Sequence, residues 1–233
     1  MPILRLVLVL AVPLVAGCSR EPEPPPQDPR RPAIVVASFD FPESEILAEL
    51  YGQALRGRGY PVELVARLGT REVVEPALEQ GKVDVVPEYL GTTLTFLAGD
   101  RAASADANLN GLRDRHGLEF ARFEAMPSRR VTAAALETGE IDVGMIETTD
   151  ASLFKRDLVQ LEDDRRLQPA ENVVPVVRRQ VVDAYGQALD RVLDAVSVQL
   201  TTAELSGLNR QVVVDDQPPS AVAAGWLRAH PVT

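Results

Sequence analysis

Three short apolar runs, each separated from the next by a stretch of helical periodicity, govern what the first ninety residues can become. AIVVASFDF (33–41) is rich in β-branched and aromatic side chains and reads as a strand. From Pro42 onward Ile46, Leu47, Leu50, Tyr51, Ala54 and Leu55 recur at i, i+1, i+4 and i+5, the single apolar face of an amphipathic helix. Gly57 and Gly59 end that helix, and PVELVARLG (61–69) is a second strand. A weaker helix runs from Glu72 to Gln80 in spite of Pro76, Gly81 stops it, and KVDVVPEY (82–89) is a third strand. A strand-helix-strand-helix-strand order with short connections predicts a parallel sheet covered by helices.

A partial repeat extends this pattern. ALEQGKVDVV (77–86) returns as ALETGEIDVG (135–144), and each predicts a helix closed by glycine, then a strand with an acid between aliphatics. Polar residues follow both copies, PEYLGTT in the first and MIETTD in the second. Two α/β lobes are therefore expected, each carrying polar side chains past a strand end. Ligands of open α/β sheets sit beyond the carboxyl ends of strands, so Tyr89 and Thr92 are expected to line a cleft. Farther on, DLVQLEDDRR and NVVPVVRR read as loop, strand and turn. Val181 to Leu200 is expected as one long amphipathic helix, Thr201 or Thr202 as the cap of a helix ending near Asn209, and Pro219 to Leu227 as the last helix.

The chain carries a formal net charge of −10, which argues against nucleic acid and against polybasic attachment to a membrane surface. Its beginning reads as a targeting segment: Arg5, then an apolar run from Leu6 to Val15 too short to span a bilayer, then Ala16-Gly17-Cys18. Small residues directly before a cysteine resemble a bacterial lipobox, in which Cys18 would be acylated and become the new N-terminus. Cys18 is the only cysteine, so neither an intrachain disulfide nor a cysteine metal site can form. Residues 18–32 then act as a lipidated, Pro-rich tether of extended polyproline geometry. The expected product is exported and lipid-anchored on the outer face of the bacterial cytoplasmic membrane.

SFDFPESEILAELYGQAL, LGTREVVEPALEQGKVDVVPEYLGTTLTFL, TTD, DLVQLEDDRRLQPAENVVPVVRR, LNRQVVVD and VAAGWL together resemble the substrate-binding lipoproteins of glycine betaine, choline and carnitine ABC importers. The blocks occur in order from Ala33 almost to the end. The resemblance implies an α/β, two-lobed type II periplasmic-binding-protein fold. Its first lobe would span 33–105, a reduced second lobe 106–170, and the return segment with C-terminal helices 171–233. It implies capture of an osmolyte between the lobes and delivery to a membrane permease, with the protein itself a monomer. The family's Glu-Tyr-x-Gly-Thr segment carries a ligand tyrosine and threonine, which correspond to Tyr89 and Thr92. Its Ser-Lys-Asn-Phe-Thr-Glu-Gln stretch lies over Ser38 to Ser44, with Ser44 at the ligand glutamine. An aromatic residue commonly stands two positions before its Thr-Asp pair; here that pair is Thr149-Asp150 and the position is Glu147. The family's block containing the first hinge strand has no match between Leu97 and Gly117, which abbreviates the second lobe.

Ser38, Asp40 and Ser44 fall on the first β-α turn, where backbone N–H groups can hold a carboxylate; Asp40 as an ordinary helix cap is the alternative. Glu147 is read either as an ion-pair partner for a cation or as a solvated residue, and Thr149 and Asp150 either as ligand contacts or as caps. His116 and His230 accompany no nucleophile motif, and neither G-x-S-x-G nor H-E-x-x-H occurs. Glu162-Asp163-Asp164 lacks the spacing and glycine of a calcium loop. No enzyme activity, cofactor or metal is therefore expected. The expected function is solute capture for an importer; the alternative is a non-transporting interaction or sensory module that keeps the first lobe as a docking surface.

Overall fold

The computed structural model describes residues 32–98, 109–126, 128–154, 158–168 and 171–232. Cys18, the apolar leader and most of the Pro-rich tether lie outside the described residues. The expected strands at the start of the chain form as β1 (Ile34–Phe39), β2 (Val62–Gly69) and β3 (Val85–Tyr89). A fourth, β4 (Val173–Val177), comes from NVVPVVRR. The sheet order is β2-β1-β3-β4; β1 pairs parallel with both β2 and β3, whereas β4 runs antiparallel to β3. The parallel expectation therefore holds for the first three strands, and the returning chain adds an antiparallel edge.

Strand alternation sorts the core onto two faces. Ile34, Val36 and Val85 face the larger core, built from α1 (Pro42–Gly57), α6 (Gln187–Ser197), α7 (Thr202–Val213) and α8 (Pro219–Ala229). Ala37, Phe39 and Val86 face the smaller one under α2 (Arg71–Glu79). Pro42 opens α1 at its first position, where its missing N–H costs nothing, and Glu43 and Glu45 favour the positive end of the helix dipole. Phe41 is the N-cap residue of α1, with extended backbone at φ −153° and ψ 154°.

Between β1 and β2 the register shifts after Ala37. Arg67 there has φ 54°, in the left-handed region, and its N–H donates to Ser38 Oγ at 2.8 Å in place of a ladder carbonyl. Ser38 is thus the buried acceptor of a β-bulge.

The single helix expected over Val181 to Leu200 is broken. Gly186, at φ 70° and ψ −171°, separates α5 (Arg179–Tyr185) from α6. A glycine adopts that backbone without strain, and the turn lets α6 lie against α1 with Leu189, Val192, Leu193 and Val196 buried. Thr201 caps α7 as expected, accepting from the Glu204 N–H at 3.2 Å.

The second α-β unit does not form as the repeat suggests. Its helix does, as α4 (Arg129–Thr138), capped by Ser128 and closed by Gly139 at φ 71°. EIDVG does not become a strand; between β3 and β4 the described residues hold only α3 (Leu90–Leu97), α4 and short helical turns. A lone extended segment leaves its backbone groups without a ladder partner, and a hairpin alone is marginal. In the described part of 109–168 the buried apolar residues are Ala133, Ala135 and Ala151, while Val143, Met145, Val159 and Leu161 are exposed.

At Gly52, α1 packs tightly against β2: a Cβ there would lie 2.8 Å from Leu64 Cδ2. Gly52→Val is expected to overpack this contact and lower unfolding stability by about 1–3 kcal/mol in urea denaturation.

Candidate ligand site at the carboxyl edge of the sheet

The site is organised by a charge with no exposed surface. Glu88, near the end of β3, is fully buried. Arg71, at the start of α2, meets it with two bonds, Nη2 to Oε2 at 2.7 Å and Nε to Oε1 at 3.3 Å. The Thr93 hydroxyl donates to Oε2 at 2.8 Å and the Tyr89 N–H to the same oxygen at 3.1 Å. The Arg71 guanidinium also lies 5.3 Å from the Phe39 ring centroid, within cation–π range. Burial disfavours the Arg71 charge, but the bond to Glu88 and that carboxylate's field outweigh it and raise the guanidinium pKa. Neighbouring Glu75 is pushed above the ordinary glutamate value, first by burial and then by its hydrogen bond to Glu88 and their mutual repulsion.

This cluster fixes the turn from β3 into α3 and so aims Tyr89. The Tyr89 hydroxyl donates to Glu43 Oε1 at 2.7 Å. Its ring lies 5.9 Å from that of Phe41, tilted by 39°, and Phe41 stacks in turn on Phe39 at 5.9 Å. Glu43 also accepts from the Asn209 side-chain amide on α7, which donates to the Thr149 carbonyl at 2.9 Å as well. One residue turn away, the Ser206 hydroxyl donates to the Thr148 carbonyl at 3.3 Å. Tyr89 and Thr149, two residues expected in the site, are thus brought together through Glu43 and Asn209. A phenol donating to a carboxylate carries a more electron-rich ring, which suits it to a cation.

The other expected site residues divide. Thr92 is exposed on α3, and both its hydroxyl and its N–H donate to Glu171, the hydroxyl at 2.9 Å. Ser44 is buried, and its hydroxyl accepts from the Phe39 N–H at 2.9 Å. Ser38 accepts from Arg67 in the bulge, and Asp40 binds the Arg67 guanidinium at 2.6 Å, with Glu45 at 2.7 Å. These three surround the β1–β2 bulge beside the aromatic edge. Glu147 is exposed, and its carbonyl accepts from the Asp150 N–H at 3.0 Å. Leu153 N–H donates to the Asp150 carbonyl as the chain enters the turn Ala151–Phe154.

Phe41, Glu43 and Asn209 were not anticipated. Asn209 left a readable trace, a polar residue in the stripe Leu205, Leu208, Val212 where an apolar one belongs. Glu43 is an acid in a first helical turn, where acids are common, and so carries no signal of its own. Among the described residues, no group of three or more His, Cys, Asp or Glu side chains could hold a metal ion. Asp163 instead accepts the N–H groups of Leu167 at 2.9 Å and Gln168 at 2.7 Å, which lowers its pKa.

Arg71→Leu leaves Glu88 buried without its cation and is expected to cost about 3–5 kcal/mol in chemical denaturation. Because the folded state raises the Glu75 pKa, its neutral form stabilises the fold, and that contribution is lost as pH rises through the raised value. Glu75→Gln is therefore expected to match the native protein in acid and to melt higher than it once pH passes the ordinary glutamate range, as thermal melts across pH would show.

The model of the family described as the substrate binding domain of ABC-type glycine betaine transport systems matches residues 32–107 and 95–229. The glycine-betaine-binding protein of Pseudomonas aeruginosa is 29% identical over 141 residues, 60% of this chain and 45% of that protein. Thus the match spans less than half the length of that relative. The glycine betaine-binding protein YehZ of Escherichia coli is 23% identical over 265 aligned positions, covering 80% of this chain and 87% of YehZ. Among solved structures, apo YehZ from E. coli superposes with a TM-score of 0.71 at 20% identity, covering 87% of this chain and all of that one. A glycine betaine/carnitine/choline ABC transporter structure gives a TM-score of 0.72 at 17% identity, covering 84% and 98%. The fold is accordingly that of periplasmic binding proteins, and the family is one of binding proteins rather than enzymes. From the sheet edge to the family match, the chain belongs to the substrate-binding domains of ABC-type glycine betaine transport systems.

Proposed function

We propose that this protein captures a small quaternary-ammonium or related zwitterionic osmolyte, of the glycine betaine, choline, carnitine or proline class, and delivers it to an ABC permease. In this reading it is held at the outer face of the cytoplasmic membrane through acylated Cys18 and works as a monomer. The observation that carries the reading is the Phe41–Tyr89 ring pair at 5.9 Å with Glu43 on the phenol, at the carboxyl end of β3. A quaternary ammonium group cannot donate a hydrogen bond, so ring faces and nearby carboxylates are what can hold it. Thr92, on the first turn of α3, and Glu147 and Thr149, beyond α4, are the contacts assigned to the rest of the solute. Ser38, Asp40 and Ser44 then support the aromatic edge from behind.

The energetics require several such contacts. Sub-micromolar capture needs about 8 kcal/mol or more, whereas one desolvated ring supplies about 2. Closure of the two halves over the solute, each touching it, provides the remainder in this reading.

Isothermal titration with glycine betaine, choline, carnitine and proline tests it. At least one is expected to bind; Tyr89→Ala should weaken that binding roughly ten- to thirty-fold, and Tyr89→Phe, which keeps the ring, much less. Flat titrations with all four solutes on a folded protein would assign the chain instead to a non-transporting interaction module.

A further inference from the structure

Asn209 presents a problem that its neighbours do not solve. The residue is 5% exposed, and its Oδ1 is buried without a hydrogen-bond partner among the described residues. Turning the amide over does not help. The two groups facing its nitrogen, the Glu43 carboxylate and the Thr149 carbonyl, are both acceptors, so the NH2 must point at them. The carbonyl oxygen is left over by necessity. Buried acceptors in native proteins are paired, and an unpaired one marks either a cost or a function.

We propose that Asn209 Oδ1 is the acceptor for a donor hydrogen on the captured solute, an N–H or O–H beside the cationic centre. This rests on the solute-binding function proposed above and narrows it. A fully methylated, donor-free solute satisfies the rings but not Oδ1; a solute with a single donor hydrogen satisfies both. The placement fits, because the same amide joins Glu43, and through it Tyr89, to the segment carrying Thr149. That segment is fastened to α7 by two side chains, Ser206 and Asn209. When it lifts, water reaches Oδ1; when it settles without a solute, Oδ1 loses that water and gains nothing. Empty closure is thereby penalised, and a solute bearing a donor removes the penalty.

Two ligand pairs, each differing by one methyl in place of one hydrogen, test this by calorimetry on the full chain: N,N-dimethylglycine against glycine betaine, and choline against its O-methyl ether. In at least one pair the hydrogen-bearing member is expected to bind roughly ten-fold or more tightly. In Asn209→Leu that preference should fall to within about two-fold, since no acceptor remains to discriminate. Equal or tighter binding of the methylated member in both pairs overturns the inference and leaves solute capture standing, as does a preference that survives in Asn209→Leu. Absence of binding by all four compounds overturns the inference, and flat titrations with carnitine and proline as well overturn solute capture with it. Should Asn209→Leu not fold, the ratios on the native protein decide.

Discussion

An ionised carboxylate can lie wholly inside a protein only if its lone pairs are met by donors and its charge by a cation. Glu88 obtains both from residues that come from separate elements: Arg71 from the start of α2, Thr93 from α3, and the backbone of Tyr89 next to it. Removing any one partner exposes the others to the desolvation cost of the rest. The cluster therefore holds α2, β3 and α3 in one arrangement at the sheet edge. Tyr89 inherits its direction from that arrangement; its hydroxyl binds Glu43, and Asn209 joins Glu43 to the Thr149 carbonyl.

The polar residues at this edge fall into two hydrogen-bonded groups. Ser38, Ser44 and Asp40 manage the irregular end of β1, accepting N–H groups that the ladder leaves unpaired and gripping Arg67. Tyr89, Glu43 and Asn209 form the other, which ends on the Thr149 carbonyl. Asp84 does comparable work at the other end of β3, accepting from the Val35 N–H at 2.9 Å and from Arg178 at 2.9 Å. The acid set between aliphatics in the first repeat copy thus joins β3 to β1 and to the end of β4.

Most of the first half was legible because its signals are local. Periodicity gave β1, α1, β2, α2 and β3, and the Glu-Tyr-x-Gly-Thr segment placed Tyr89 at a strand end. What escaped was long-range. Asn209 meets Glu43 across 166 residues, and no spacing rule reports such a pair. Gly186 lies inside the apolar pattern read as one long helix, yet its backbone breaks that helix. The second repeat copy misled for a related reason: EIDVG has the pattern of a strand, but a strand exists only beside another, and its immediate sequence cannot say whether a neighbour is present.

The fully buried apolar residues of the stretch from 109 to 168 are three alanines among those described, and its leucines and isoleucines are at most half-buried. So little burial repays poorly the chain entropy of ordering so many residues. Its order is borrowed from the larger half, through the Ser206 and Asn209 bonds to the backbone at 148–149. Amide protons there belong to the low end of the local unfolding spectrum and those of β1 to the high end, so the two halves would trade hydrogen for deuterium on separate clocks.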